Sequence, residues 1–141
     1  MAAKRKKTEE ALTQYTAMTA NDRLAAVREG WPIESLSKTA EQFGIGLGEL
    51  NKIVGLAPAT LARRKVKQQC LPTDVSERLD RLYDITSAAA RVLGGSSNAR
   101  CWMTQTNPML AGSKPIEMVG TEIEGQQVRC LLTSIEWGTG A

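Results

Sequence analysis

The residues best suited to chemistry form one short run, Pro58-Ala59-Thr60-Leu61-Ala62-Arg63-Arg64-Lys65-Val66-Lys67. Four of these ten side chains are cationic and none is acidic, so the run is built to hold a polyanion. On a helix, Arg63, Arg64, Lys65 and Lys67 fan toward phosphates while Leu61 and Ala62 face inward. Thr60, on the first turn, is placed to touch a base edge or a phosphate. Four phosphate contacts at about −0.9 each give a slope of about −3.6 for log K against log salt. That is modest for one chain, so a homodimer on a two-fold operator is the expected arrangement. A solvated basic helix without a ligand is the other reading of the same run.

Catalytic chemistry finds no support in the side chains. The 141 residues include no histidine, and the three cysteines, Cys70, Cys101 and Cys130, lie about thirty residues apart. No Cys-x-x-Cys spacing or zinc ligand set arises, so the cysteines read as free thiols in a reducing compartment, with Cys101 and Cys130 filling the core. Gly44-Ile45-Gly46-Leu47-Gly48 is glycine-rich, but it follows a helical pattern and lacks the third spacing of a dinucleotide fingerprint; it reads as a helix stop. The chain is expected to be no enzyme, with no cofactor, no metal and no small-molecule substrate. With no apolar run near the ~18 residues of a membrane span and no signal peptide visible, a cytoplasmic location without a membrane partner is expected.

The elements that must position the basic run follow from periodicity. Leu and Ala dominate the apolar residues and aromatics make up only 4%, which favours an all-α fold. Residues 1–20 read as a flexible basic arm whose only large apolar residues are Leu12, Tyr15 and Met18. Asn21 and Asp22 are predicted to cap a short helix, Arg23 to Glu29. After Gly30-Trp31-Pro32, the spacing of Ile33, Leu36, Ala40 and Phe43 predicts a second helix, ended by Gly44. A third runs from Leu47 to about Val54. Gly55-Leu56-Ala57 is a three-residue turn, and Pro58 opens the basic helix, which reaches about Gln69. This is helix-turn-helix form.

Beyond the Leu71-Pro72 break, Thr73 or Asp74 is predicted to cap the longest helix, Val75 to Leu93, with Val75, Leu79, Leu82, Thr86, Ala89 and Leu93 on its inner face. A short helix, Ser96 to Gln105, a turn-rich connector from Asn107-Pro108 and one helical turn at Ile116 to Val119 follow. Thr121 to Gly125 reads as a loop and Gln126 to Glu136 as the last helix, with a flexible tail after it. The domains are thus a basic arm (1–20), a helix-turn-helix DNA-binding domain (21–72) and a small helical domain (73–141) around the long helix. Residues 1–72 carry 12 Lys/Arg against 7 Asp/Glu, and residues 73–141 carry 6 against 8. A basic front and a slightly acidic rear imply two different partners.

The order of these features resembles the Xre-type antitoxins with a C-terminal Xre/MbcA/ParS toxin-binding domain. The residues that carry the likeness are Gly30-Trp31-Pro32, then Thr60-Leu61-Ala62-Arg63-Arg64-Lys65, then Leu71 and Ser76-Glu77-Arg78-Leu79-Asp80-Arg81-Leu82. The series Trp102, Asn107-Pro108, Leu110, Gly112, Pro115, Thr121, Gly125, Val128, Leu132, Ile135 and Gly138 follows. Ala57 departs from the pattern, standing where similar proteins often have a capping Ser or Asp, a change that typically costs about 1 kcal/mol.

The resemblance implies an antitoxin of a type II toxin–antitoxin pair. Its partner would be a RES-domain toxin, similar to ADP-ribosyltransferases and using NAD, and its N-terminal half would repress its own operon. A stand-alone helix-turn-helix repressor without a toxin is the rival reading. Neutralisation calls for nanomolar affinity, about −12 kcal/mol, concentrated in a few buried anchors. The candidate toxin-binding residues are Trp102, Asn107, Glu136, Trp137 and Gly138. Trp137 is either that anchor or packed on the long helix, and Glu136 is placed to meet a toxin cation. Core filling is the alternative for Trp102, and backbone bonding in the Asn-Pro turn for Asn107. Gly112 and Gly125 are expected to supply backbone angles closed to other residues.

Overall fold

In the computed structural model, residues 12–138 are described, and among them every regular element is helical. A helical stretch at 12–16 leads into α1 (Ala20–Glu29), α2 (Glu34–Phe43), α3 (Leu47–Ile53) and α4 (Pro58–Val66). The long α5 (Thr73–Leu93) and α6 (Ser96–Thr104) come next, then 3-10 turns at Pro108–Leu110 and Pro115–Val119, and finally α7 (Glu122–Glu136).

Helix α5 is the spine. Its 21 residues span about 32 Å, and Val75, Leu79, Leu82, Thr86 and Ala89 are buried as the spacing predicts. Ser76, Arg81, Tyr83 and Ile85 are buried too, so α5 is covered on more than one face. One apolar cluster joins Leu36, Phe43, Leu50 and Val54 to Leu79, Leu82, Met103, Ile116, Val128 and Leu132. The front and rear of the chain therefore share a core.

Helix starts were the least legible part of the sequence. The first cap is Thr19, whose Oγ1 accepts from the Asp22 amide while the Asp22 carboxylate accepts from the Thr19 amide, each at 3.1 Å. This reciprocal box starts α1 at Ala20, three residues before the predicted Arg23. Neither Thr73 nor Asp74 caps α5; Pro72 holds that position without a side-chain bond and Thr73 is already helical. Helix α4 stops at Val66 instead of Gln69, because Gln68 takes a positive φ of 53°.

The predicted loop Thr121 to Gly125 is also helix. Thr121 Oγ1 accepts from the Glu124 amide at 3.1 Å and α7 begins at Glu122. Gly125 is buried inside α7 and serves by its size alone, since a Cβ there would lie 2.9 Å from Arg81 Cδ.

The arm expected over residues 1–20 is packed along the part that is described. Leu12 and Tyr15 are buried against Tyr83, and the Tyr15 hydroxyl donates to the Asp80 side chain at 3.0 Å. Lys4, Arg5, Lys6 and Lys7 lie outside the described residues.

Gly30-Trp31-Pro32 ties α1 to the spine. The Trp31 amide donates to Ser76 Oγ and the Leu71 amide donates to the Trp31 carbonyl, both at 2.9 Å. Gly30 has φ 92°, and a Cβ there would stand 2.4 Å from the Leu71 carbonyl oxygen. Backbone cannot yield as a side chain does, so angle and space both demand glycine. Gly30→Ala is expected to cost about 2 kcal/mol and lower Tm by roughly 6 °C in thermal unfolding followed by circular dichroism. An unchanged melt would show the strap to be loose.

Candidate functional site

Two surfaces emerge, one on α4 and one on α7. Helix α3, the turn through Gly55 and helix α4 form the helix-turn-helix, held by buried Leu50, Val54 and Leu56 with Leu61 packed against them. Ala57 precedes α4 without a side-chain cap bond, and Pro58 fills the first turn, where an amide donor is not needed. Arg63, Lys65 and Lys67 are exposed and Thr60 is half-buried. Ala62 is exposed, not inward as the sequence implied, and shares the outer face with Ala59, Arg63 and Val66. Arg64 does not fan outward with the others: its Nη1 donates to the Cys70 carbonyl at 2.7 Å and helps close the end of α4.

The turn of this motif is gripped from the spine. Arg78 Nη1 donates to the Val54 carbonyl at 3.0 Å, and its Nε donates to the Gly120 carbonyl at 3.1 Å. One side chain thus joins the end of α3 to the segment that precedes α7.

On α7, Val128, Leu131 and Leu132 face the core. The opposite side presents Ile123, 77% exposed, and Trp137, 74% exposed, just past the last turn. Trp137 is therefore not packed on the long helix. Gly138 follows at φ 70° and is exposed. Glu136 accepts from Arg91 Nη1 at 2.8 Å. Trp102 is half-buried and packed on the core. Asn107 Oδ1 accepts from the Met109 amide at 3.0 Å, which is the turn-bonding role open to it. Cys101 and Cys130 are exposed, as is Cys70, so core filling is not their role. Gly112 does take a positive φ, 81°.

Residues 22–82 match a family model described as the antitoxin Xre-like helix-turn-helix domain. Residues 88–138 match one described as the antitoxin Xre/MbcA/ParS C-terminal toxin-binding domain. Antitoxin Xre of Pseudomonas putida is 30% identical over 114 residues, a stretch covering 81% of this chain and 70% of that protein. The chain belongs to the Xre antitoxin family.

The two matched segments of this antitoxin meet inside α5, whereas the Leu71-Pro72 break points to a boundary at its start. Among the described residues, no helix is long and apolar enough to cross a membrane, and no cluster of acidic or cysteine residues fits a metal ion.

Charged residues beneath α7 hold its first turns to the spine. Arg81, only 7% exposed, has all three nitrogens engaged. It donates to Glu122 at 3.0 Å, to the Val119 carbonyl at 2.8 Å and to Glu77 at 2.7 Å. Arg129 bridges Glu122 at 2.6 Å and Asp84 at 3.0 Å, and Arg23 reaches Asp80 at 2.7 Å and Asp84 at 3.5 Å. The ladder thus runs from α1 across α5 to α7. Sequence reading missed these partners because nothing in periodicity pairs residues forty positions apart.

The Arg81 hydrogen bond, aided by Arg129, holds the Glu122 carboxyl below the ordinary carboxylate range. A carboxyl whose folded pKa is depressed adds stability that is full above its unfolded pKa and is lost as pH falls through the folded one. The Tm gap between the antitoxin and Glu122→Gln should therefore be widest near neutrality and close below about pH 4. A gap independent of pH would remove Glu122 from the ladder.

Proposed function

We propose that this antitoxin neutralises a RES-domain toxin, an NAD-using enzyme of ADP-ribosyltransferase type, and represses its own operon through α4 as a homodimer. Trp137 carries the proposal. A tryptophan left 74% exposed at the edge of a toxin-binding domain is costly to solvate and suits a hot-spot anchor. Arg91 neutralises Glu136 beside it. Trp102 and Asn107 act from behind, one by packing α6 on the core and the other by fixing the turn at Met109.

Co-expression with the adjacent gene product, capture through a tag on that protein and native mass measurement test the reading. The wild-type chain is expected to co-purify. Trp137→Ala is expected to weaken the complex by at least about 30-fold, a loss of about 2 kcal/mol, and to restore toxicity. Absence of a complex, together with specific binding to the chain's own promoter, would leave a plain repressor.

For DNA, Arg63, Lys65 and Lys67 supply the phosphate contacts and Thr60 lies at the groove. Arg64 contributes by closing α4, since its Nη1 is committed to Cys70. Arg63→Ala or Lys65→Ala should each reduce the salt slope by about 0.9 per chain, whereas Arg64→Ala should lower Tm with a smaller change in slope. Equal slope changes for all three would place Arg64 on the phosphates.

A further inference from the structure

The outer face of α7 holds more than Trp137. Ile123, Cys130 and Trp137 recur every seven residues and are all exposed. At about 100° per residue a heptad drifts only about 20°, so the three form one stripe roughly 21 Å long. Met109, 61% exposed, stands beside the first half of that stripe, on the 3-10 turn that Asn107 fixes. Between them lies a groove of about 740 Å³ lined by Met109, Leu110, Ile123, Gln126, Gln127 and Cys130.

Charge is absent from that lining, and the nearby carboxylates are each engaged within the chain. Glu122 is taken by Arg81 and Arg129, Glu136 by Arg91, and the Glu124 carboxylate accepts from Thr121 Oγ1 at 3.0 Å. A lining of this kind offers a partner apolar area and amide hydrogen bonds. It lies wholly within residues 88–138, the matched toxin-binding domain, and runs into the Trp137 anchor.

We propose that this groove receives an amphipathic helix of the toxin, laid along α7 with its apolar side on Met109, Ile123 and Cys130 and its end at Trp137. Seven-residue recurrence is the geometry of a helix–helix seam, and 21 Å accommodates about four turns of an occupant. The inference rests on the antitoxin reading and adds the chemistry of the contact: apolar, and insensitive to salt.

Calorimetric titration of the full chain with the purified RES-domain protein of the same operon tests it. The dissociation constant should change by less than about threefold between 50 and 500 mM NaCl, because screening acts on charges and the groove lining carries no charged side chain. Met109→Glu and Ile123→Glu should each weaken binding by at least about 30-fold. Ile123→Ala, a gentler change that favours helix, should weaken it by about tenfold. Leu24→Glu, at an exposed apolar residue of α1, should bind like wild type. Wild-type affinity in the Met109 and Ile123 variants, with Trp137→Ala alone defective, would overturn the groove and leave the antitoxin reading standing. A steep loss of affinity with salt would also overturn it. No binding by the wild-type chain would overturn both.

Discussion

Arg81 sets the constraint on which the rest of the molecule depends. A guanidinium taken out of water is costly unless each donor is met, and here each nitrogen has a partner within 3.0 Å. Two of those partners, Val119 and Glu122, frame the start of α7, so satisfying the charge also fixes where that helix begins. Gly125 is small because Arg81 lies against it. Arg78, one turn earlier, does the same for the turn between α3 and α4, and its guanidinium sits where a Cβ on Gly55 would fall. The Arg100 guanidinium lies over Gly44 in a similar way. The front half is thus held by arginines of the rear half, each reaching a place where glycine leaves room.

The outcome is one core bearing two surfaces of opposite character. Helix α4 offers the exposed cations Arg63, Lys65 and Lys67, which suits a phosphate backbone. Helix α7 offers an uncharged stripe ending in an indole. Binding at the first is expected to weaken steeply with salt, and binding at the second hardly at all. A polyanion and an apolar protein surface would each be drawn to its own face.

Much of this was legible in the sequence, for definable reasons. The all-α class, the spine and its buried side followed from periodicity, and the helix-turn-helix followed from a turn between two short helices. Helix starts were not legible where caps compete: Thr19, Asn21 and Asp22 are all good caps, and only the reciprocal bond to Asp22 selects Thr19. The start of α7 was hidden by Gly125, which reads as a breaker until Arg81 is seen against it. At the sites, Arg63, Lys65 and Lys67 lie exposed as read, whereas the commitment of Arg64 to Cys70 depends on how the chain leaves α4. Met109 and Ile123 were overlooked because exposure, not residue type, singles them out. Ile123 also fell in the stretch read as a loop, so its place on a helical face appears only once the helix is seen to start at Glu122.

If the surfaces on α4 and α7 are separate faces of the shared core, DNA and a protein partner are expected to bind at once. Gel mobility of labelled promoter DNA, first with the antitoxin and then with added RES-domain protein, tests that most directly. A slower, ternary band is expected, lost on Trp137→Ala while the antitoxin–DNA band persists. Release of free DNA as the toxin is added would contradict it, because it would place toxin and operator on overlapping faces.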